Sequence, residues 1–111
     1  MLPQRLRLHR SSDFVSVLRK GHKVSRPTLI LYSRPSEQPR FGLIVGKTVG
    51  GAVQRNLVKR RLRHWAHALL SESSPMDVVV RALPASLTED TQMARDIATA
   101  WVQAEQAVRS K

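Results

Sequence analysis

The alternation of apolar and polar positions predicts three β-strands. The segments TLILYS (28–33) and RFGLIV (40–45) alternate with the period of a strand, and the loop PSEQP (35–39) between them favours a hairpin. The valine run of MDVVVRAL (76–83) indicates a third, buried strand. The chain has room for an additional short strand near KVS (23–25).

Two amphipathic helices are predicted toward the ends of the chain. The first covers residues 13–20, with Ser12 as its N-cap and Gly21 as a left-handed stop. Its apolar face consists of Phe14, Val17 and Leu18. The last helix is predicted to begin with the capping-box pattern of Ser86 and Glu89. Its apolar stripe consists of Met93, Ile97, Trp101, Ala104 and Val108.

Residues 52–70, AVQRNLVKRRLRHWAHALL, predict one long helix with two unlike faces. At about 100° per residue, one narrow sector is apolar and forms the expected core face. This sector consists of Val58, Leu62, Trp65 and Leu69. The roughly opposite sector is polar and cationic, and consists of Asn56, Lys59, Arg60, Arg63 and His67. We expect a helix that packs its dry side on a sheet and turns its positive side outward.

The order of these elements, αββαβα with room for one more strand, indicates an α+β fold. We expect a two-layer sandwich of one small sheet with helices, in which the two long helices cover the buried face of the sheet. The length of 111 residues indicates a single domain, residues 1–111. The hydrophobic share of 41% suffices for one modest core.

Charge is distributed very unevenly along the chain, which has a formal net charge of +11. Residues 1–70 contain 15 basic and 2 acidic side chains, whereas residues 71–111 contain 4 and 6. No acidic residue lies between Glu37 and Glu72. A solvated helix face usually alternates Glu with Lys, so the carboxylate-free stretch favours a polyanionic partner such as a nucleic acid.

Several classes of protein are disfavoured by composition. No run of 18 apolar residues is present, so no membrane span is expected. The N-terminus MLPQRLRLHR lacks the apolar stretch of a signal peptide, and the chain has no cysteine for disulfides, thiolate metal sites or nucleophilic catalysis. We therefore expect a cytoplasmic protein.

A short glycine-containing turn, VGKTVGGAV (45–53), precedes the long helix. Backbone N–H groups at the start of the helix can bind a phosphate oxygen, and Lys47 would add a positive charge. Glycines before a helix also commonly serve only the turn. Both interpretations stay open from the residues alone.

The segment PRFGLIVGKTVGGAVQRNLVKRRLRHW (39–65) resembles the signature of the bacterial ribonuclease P protein family. That signature is a strand of the form GL-x-V, a lysine-containing turn, and the helix pattern A-V-x-R-N-R-x-K-R-x-x-R. RLRLHRSSDFVSVLRKG (5–21) is similar to the N-terminal region of the family, and LILYS (29–33) and MDVVVRALP (76–84) are similar to its strands. The resemblance covers residues 5–85 in the right order.

The resemblance implies a fold and a function. The fold is a sandwich of order αβββαβα with a small mixed four-stranded sheet and a left-handed crossover around the basic helix. The function is to assist a catalytic RNA that removes the 5′ leader from precursor transfer RNA, with Mg²⁺ held mainly by RNA. Catalytic groups would then reside in the RNA, and no protein metal site, small-molecule substrate or membrane partner is expected.

The resemblance also implies two sets of binding residues. The first set faces the ribonuclease P RNA and consists of Arg55, Asn56, Lys59, Arg60, Arg61 and Arg63, with Lys47 in the preceding turn. The second set lines a cleft for the single-stranded leader between the sheet and the first helix, and consists of Phe14, Leu18 and Tyr32, with Lys47 beside the two aromatic side chains. Aromatic side chains in a positive groove suit unpaired nucleotides, although such side chains also commonly serve core packing.

This chain departs from the family pattern at four positions. Leu57 occupies the third position of the Arg-Asn-Arg triplet, and Arg61 occupies a usually apolar position one turn later. We interpret this pair as a cation moved along one flank of the helix. Gly46 replaces a small polar residue before Lys47, and Leu18 replaces a frequent aromatic, which weakens the stacking expected in the cleft.

Two other functions are weighed against this one. A protein-only nuclease would need an acid–base pair or metal ligands, and His64 and His67 form the single candidate pair, with no acidic residue nearby in sequence. We expect these histidines to lie beside phosphates instead. A general RNA-binding or ribosomal-type protein fits the charge, whereas a helix-turn-helix regulator does not, because a strand precedes the basic helix.

Overall fold

The computed structural model describes residues 6–87 and 90–109 of the chain. Its elements, in chain order, are α1 (Ser11–Lys20), β1 (His22–Ser25), β2 (Leu29–Pro35), β3 (Arg40–Ile44), α2 (Ala52–Leu70), β4 (Met76–Ala82), a 3₁₀ turn (Pro84–Leu87) and α3 (Asp90–Arg109). The α+β class and the order αβββαβα are confirmed. The long basic helix has the bounds that its apolar periodicity predicted.

The four strands form one mixed sheet in the order β1-β2-β4-β3. Strand β4 pairs antiparallel with β2 and parallel with β3, and α2 makes the crossover between the two parallel strands. The predicted hairpin of residues 28–33 and 40–45 is wrong, because β4 lies between them. The reason is burial: Val78, Val79 and Val80 are all fully buried, which requires a central strand covered on both faces.

The main hydrophobic core lies between the sheet and the helices α2 and α3. Helix α2 contributes a fully buried stripe at four-residue spacing, which consists of Val58, Leu62, Ala66 and Leu70. Trp65 and Leu69 were predicted for this stripe but are only half-buried against the core. The core face of α2 is therefore rotated slightly about the helix axis from the predicted sector. Ala66 lies on this face, and its small side chain allows the helix to approach the core closely.

Helix α3 packs with the apolar stripe that the sequence predicts. Met93, Ile97, Trp101 and Ala104 are buried and Val108 is half-buried. The capping box is wrong for Ser86, which lies in the 3₁₀ turn and donates its hydroxyl hydrogen bond to the Leu83 carbonyl at 2.7 Å. Its predicted partner Glu89 lies outside the described residues.

A buried carboxylate attaches α3 to the loop before β2. Asp96 accepts hydrogen bonds from the Thr28 backbone N–H at 2.9 Å, the Thr28 hydroxyl at 2.6 Å and the Gln92 amide at 2.8 Å. Burial alone would raise the pKa of Asp96, but these hydrogen bonds and the charge of Arg26 outweigh it and lower the pKa. Asp96 is thus a charged anchor inside the protein.

Both predicted boundaries of α1 need correction. The helix begins at Ser11 with Arg10 as N-cap, so Ser12 is a helical residue and not the cap. Gly21 has an extended φ of −76° and is not a left-handed stop. Glycine is needed there for close packing, because a Cβ atom would meet the Val17 carbonyl oxygen and lie 2.8 Å from that of Ser33.

Membrane insertion finds no support among the helices of residues 6–87 and 90–109, none of which is both long and apolar enough to span a bilayer.

Candidate RNA-binding surfaces

The outward side of α2 carries most of the residues predicted to bind RNA. Asn56, Arg60, His64 and His67 are exposed along its crest, and Lys59 and Arg63 are half-buried on one flank. Arg55 and Arg61 are also half-buried. The sector predicted from the helical projection is therefore brought together as one surface, which we call the cationic face.

Four cations of α2 have no carboxylate partner inside the described part of the protein. The ion pairs found there involve Arg26, Arg34, Arg40 and Arg109. None involves Arg55, Lys59, Arg60 or Arg63. The Nε atom of Arg55 is moreover buried without a hydrogen-bond acceptor, which is costly unless a partner binds there. Their positive charge is thus available to a polyanion.

The first turn of α2 adds backbone donors at the same surface. Its N-cap, Gly51, provides no side-chain acceptor, and the first turn has no acidic residue. The N–H groups of such a turn attract anions. Gly50 has a φ of 155°, so the turn also requires glycine for its conformation. Lys47 is exposed in this turn, and both the conformational and the anion-binding interpretation fit the geometry.

The predicted leader cleft lies on the opposite face of the sheet, beneath α1. Phe14, Leu18 and Tyr32 are half-buried there together with Ile44. They surround a small buried cluster of Leu8, Val17 and Val79. All three predicted cleft residues therefore come together. Their buried parts pack against this cluster, and their exposed parts are accessible to a stacking base.

Gly42 of β3 forms the floor beneath the Phe14 ring. A Cβ atom at this position would lie 2.5 Å from the Cε1 and Cζ atoms of Phe14. The ring therefore rests directly on the strand backbone, at a distance that only glycine permits.

A pocket of about 260 Å³ joins this cleft to the cationic face at the edge strand β3. Its lining includes Phe14 and Gly42 from the cleft, Arg63 from α2, and Arg7 from the N-terminal segment. That segment is attached to the strand by a hydrogen bond of 2.9 Å from the Leu8 N–H to the Phe41 carbonyl. An aromatic ring and two arginines thus border one opening. Lys47 does not line it.

The strand register reveals a cation that sequence reasoning missed. Tyr32, Val79 and Gly42 are paired across the sheet in one row, and Ile30, Arg81 and Ile44 form the next row on the same face. Arg81 is exposed between its two half-buried isoleucine neighbours. Arg81 lies two residues after Val79, so the two side chains share one face of β4. This spacing places Arg81 beside the cleft only once β4 is known to lie between β2 and β3.

An ion-pair network holds α1 over the cleft. The buried Asp77 carboxylate accepts hydrogen bonds from Nε of Arg34 at 3.0 Å and from Nε and Nη2 of Arg40 at 2.8 and 3.0 Å. The hydrogen bond to Asp77 raises the pKa of Arg40, against the effect of burial. Arg34 also donates to the Ser16 hydroxyl, and Asp13 lies 3.5 Å from Arg34. The two arginine charges are therefore used internally to position α1.

The histidines of α2 form no metal site with other residues of the described structure. No three His, Cys, Asp or Glu side chains within residues 6–87 and 90–109 lie close enough to hold an ion together. The His64 ring instead meets Trp65 edge-on, with ring centroids 5.1 Å apart.

Comparison with known proteins decides the family. The model of the family described as Ribonuclease P matches residues 2–105. The chain belongs to the ribonuclease P protein family. It is 47% identical over 96 residues to the ribonuclease P protein component of Mycobacterium avium (strain 104), covering 79% of this chain and 81% of the relative. It is 42% identical over 110 residues to that of Streptomyces griseus subsp. griseus, covering 87% and 89%.

Solved structures agree with this membership of the ribonuclease P protein family. The RNase P protein from Staphylococcus aureus superposes with a TM-score of 0.78 at 27% identity, covering 95% of this chain and 93% of that one. The RNase P protein from Thermotoga maritima shares the fold, with a TM-score of 0.76 at 19% identity, covering 86% of this chain and 94% of the other.

Proposed function

We propose that this chain is the protein subunit of a ribonucleoprotein ribonuclease P. In this proposal the cationic face of α2 binds the ribonuclease P RNA, and the cleft beneath α1 binds the 5′ leader of precursor transfer RNA. The RNA subunit catalyses the cleavage of the leader. Such a protein works with RNA in the bacterial cytoplasm.

The observation that carries the proposal is the pocket at the β3 edge, where Phe14 and Arg63 face one opening. Folded RNA presents phosphates, which suit the unpaired cations of α2. An unpaired strand presents phosphates together with exposed bases, which suit an aromatic cleft beside a cationic groove. The shared pocket allows one RNA to lie along α2 while a neighbouring single strand enters the cleft.

The cleft gives the protein a means to distinguish substrate from product. Precursor transfer RNA has a leader that can contact Phe14 and Tyr32, whereas the mature product does not. Binding energy from the leader therefore favours the precursor alone. The protein thus assists the reaction by positioning the substrate, and its own side chains need not transfer a proton.

In this proposal Mg²⁺ bound by the RNA would supply Lewis-acid chemistry at the scissile phosphate. Magnesium retains several waters and commonly binds through phosphate oxygens. RNA phosphates are accordingly its main ligands. The cations of α2 contribute by neutralising RNA phosphates and orienting the RNA subunit.

The exchange of Leu57 and Arg61 fits the same surface. Both residues are half-buried and lie one helical turn apart on one flank of α2. Arg61 thus supplies, one turn later, the cation that is missing from the usual third position of the triplet.

The double variant Leu57→Arg, Arg61→Leu should fold normally and stimulate cleavage like the original chain. Loss of activity in a folded double variant would instead indicate a packing role for Leu57.

The test is reconstitution with a bacterial ribonuclease P RNA and a precursor transfer RNA. Adding the protein should increase leader removal at moderate magnesium concentration, and Arg60→Ala should lower the slope of log K against log salt by about one unit. Arg95→Ala removes an exposed arginine from α3 and is the matched control, with a slope near that of the original chain. RNA binding without stimulated cleavage would contradict the proposal and indicate a general RNA-binding protein instead.

A further inference from the structure

The two tryptophans of the chain have very different environments. Trp101 is fully buried, its indole N–H donates to the Ser73 hydroxyl at 3.1 Å, and its ring lies 6.1 Å from that of Phe41. Trp65 is half-buried and packs against the margin of the main core. Part of the Trp65 indole therefore stays accessible on α2.

Trp65 lies on the flank of α2 that faces away from the leader cleft. Lys59 and Arg63 directly follow the buried residues Val58 and Leu62 in sequence. Trp65 instead directly precedes the buried residue Ala66. In a helix these offsets point to opposite sides of the stripe. Because Arg63 borders the pocket with Phe14, Trp65 belongs to a separate surface.

A shallow pocket of about 280 Å³ lies at this surface, lined by Arg60, Arg61, His64 and Trp65. The His64 ring contacts the Trp65 ring at an interplanar angle of 70°, so the imidazole forms one wall of this pocket. The stretch from residue 38 to residue 71 contains no carboxylate. An aromatic surface bordered by cations matches a base and its phosphate.

The pocket is continuous with the cationic face. Arg60 and His64 line it and also line the neighbouring depression of about 420 Å³ on the crest of α2, together with Arg63 and His67. An RNA lying along the crest therefore passes the entrance of the Trp65 pocket. A leader held in the cleft beneath α1 lies on the other side of the helix.

We propose that the Trp65 pocket binds an unpaired nucleotide of the RNA subunit. Its base stacks on the indole of Trp65, and its phosphate contacts the Arg60 guanidinium. The identity of the partner rests on the proposed function, whereas the preference for an unpaired base rests on the accessible part of the Trp65 indole beside Arg60.

The experiment measures binding of the RNA subunit by affinity and by tryptophan fluorescence. Trp65→Leu keeps an apolar side chain against the core but removes the stacking surface, so affinity for the RNA should fall about five- to a hundredfold. Trp65→Phe keeps an aromatic ring and should retain most of the affinity. Leu69→Ala is the control for lost packing, since Leu69 is half-buried one turn later on the same flank, and it should leave the affinity unchanged.

Fluorescence reports stacking directly. Emission of the original chain should be quenched in a saturable way as RNA is added, and Trp65→Phe, which retains Trp101, should lose this quenching. Undiminished affinity of a folded Trp65→Leu variant, or quenching that persists in Trp65→Phe, overturns the pocket assignment. If the original chain neither binds the RNA nor stimulates cleavage, the proposed function itself fails, which is a separate result.

Discussion

Replacement of Asp77 by Asn should destabilise the protein strongly, because two arginines depend on one buried carboxylate. The Asp77 side chain is 1% exposed and the Arg34 and Arg40 side chains are 26% and 28% exposed. Removing one partner of a buried ion pair costs about 3–5 kcal/mol. Partial exposure of the arginines, the nearby Asp13 and the remaining amide oxygen reduce this cost, so we expect a loss of about 2–3 kcal/mol in the free energy of unfolding.

The assay is urea denaturation followed by far-ultraviolet circular dichroism, in which the midpoint should fall while the slope stays constant. Glu105→Gln is the control, because its partner Arg109 is 69% exposed and such surface pairs contribute about 0–1 kcal/mol. A loss for Asp77→Asn no larger than that of the control would refute the network as a source of stability. Because Arg34 also donates to Ser16 of α1, the variant should in addition weaken the preference for precursor over mature transfer RNA.

Three further predictions concern the cleft and the core. Tyr32→Ala should reduce the preference of the holoenzyme for precursor over mature transfer RNA by about 1–3 kcal/mol, measured as two dissociation constants; an equal loss for both ligands would point to a structural role. Gly42→Ala should displace the Phe14 ring and reduce the same preference, with a stability loss of about 1 kcal/mol; an unchanged preference would show that Phe14 does not contact the leader. The lowered pKa of Asp96 stabilises the fold above the unfolded-state pKa of about 3.9 and loses this effect as the pH falls through the folded-state value. Urea denaturation across this pH range should therefore show that the difference in free energy of unfolding between the original chain and Asp96→Asn shrinks toward low pH. A difference that does not change with pH would contradict the stabilising effect of the lowered pKa.

The elements of the fold were predictable because each depends on local periodicity, but the strand pairing was not. The apolar spacing of residues 52–70 depends only on neighbours three and four positions apart, so the bounds of α2 agree with the structure. The pairing of β2 with β4 joins residues more than forty positions apart, such as Leu31 and Val80. The short PSEQP loop favoured a local hairpin, and the need to bury both faces of β4 overrode it.

The residues of the candidate site were likewise predictable from the sequence where they depend on local periodicity, and not where they depend on strand pairing. The outward-facing cations of α2 were predictable because one helix holds them and its buried stripe orients them. Arg81 was not, since its exposure on the cleft face depends on where β4 lies in the sheet. Trp65 was assigned to the core because helical projection locates a residue only to within a sector, and the fully buried positions were Ala66 and Leu70.

Among the arginines of residues 6–87 and 90–109, ion pairing distinguishes two groups that residue type alone does not. Arg26, Arg34 and Arg40 lie beside Asp96 or Asp77, where a buried carboxylate requires a cation and the resulting contacts attach α3 and α1 to the sheet. Arg60 and Arg63 lie on a helix with no carboxylate in its own sequence. Salt should therefore act on the two groups differently. Screening weakens the attraction of exposed cations for RNA but acts much less on buried pairs, so the loss of RNA binding at high salt should precede any loss of the fold.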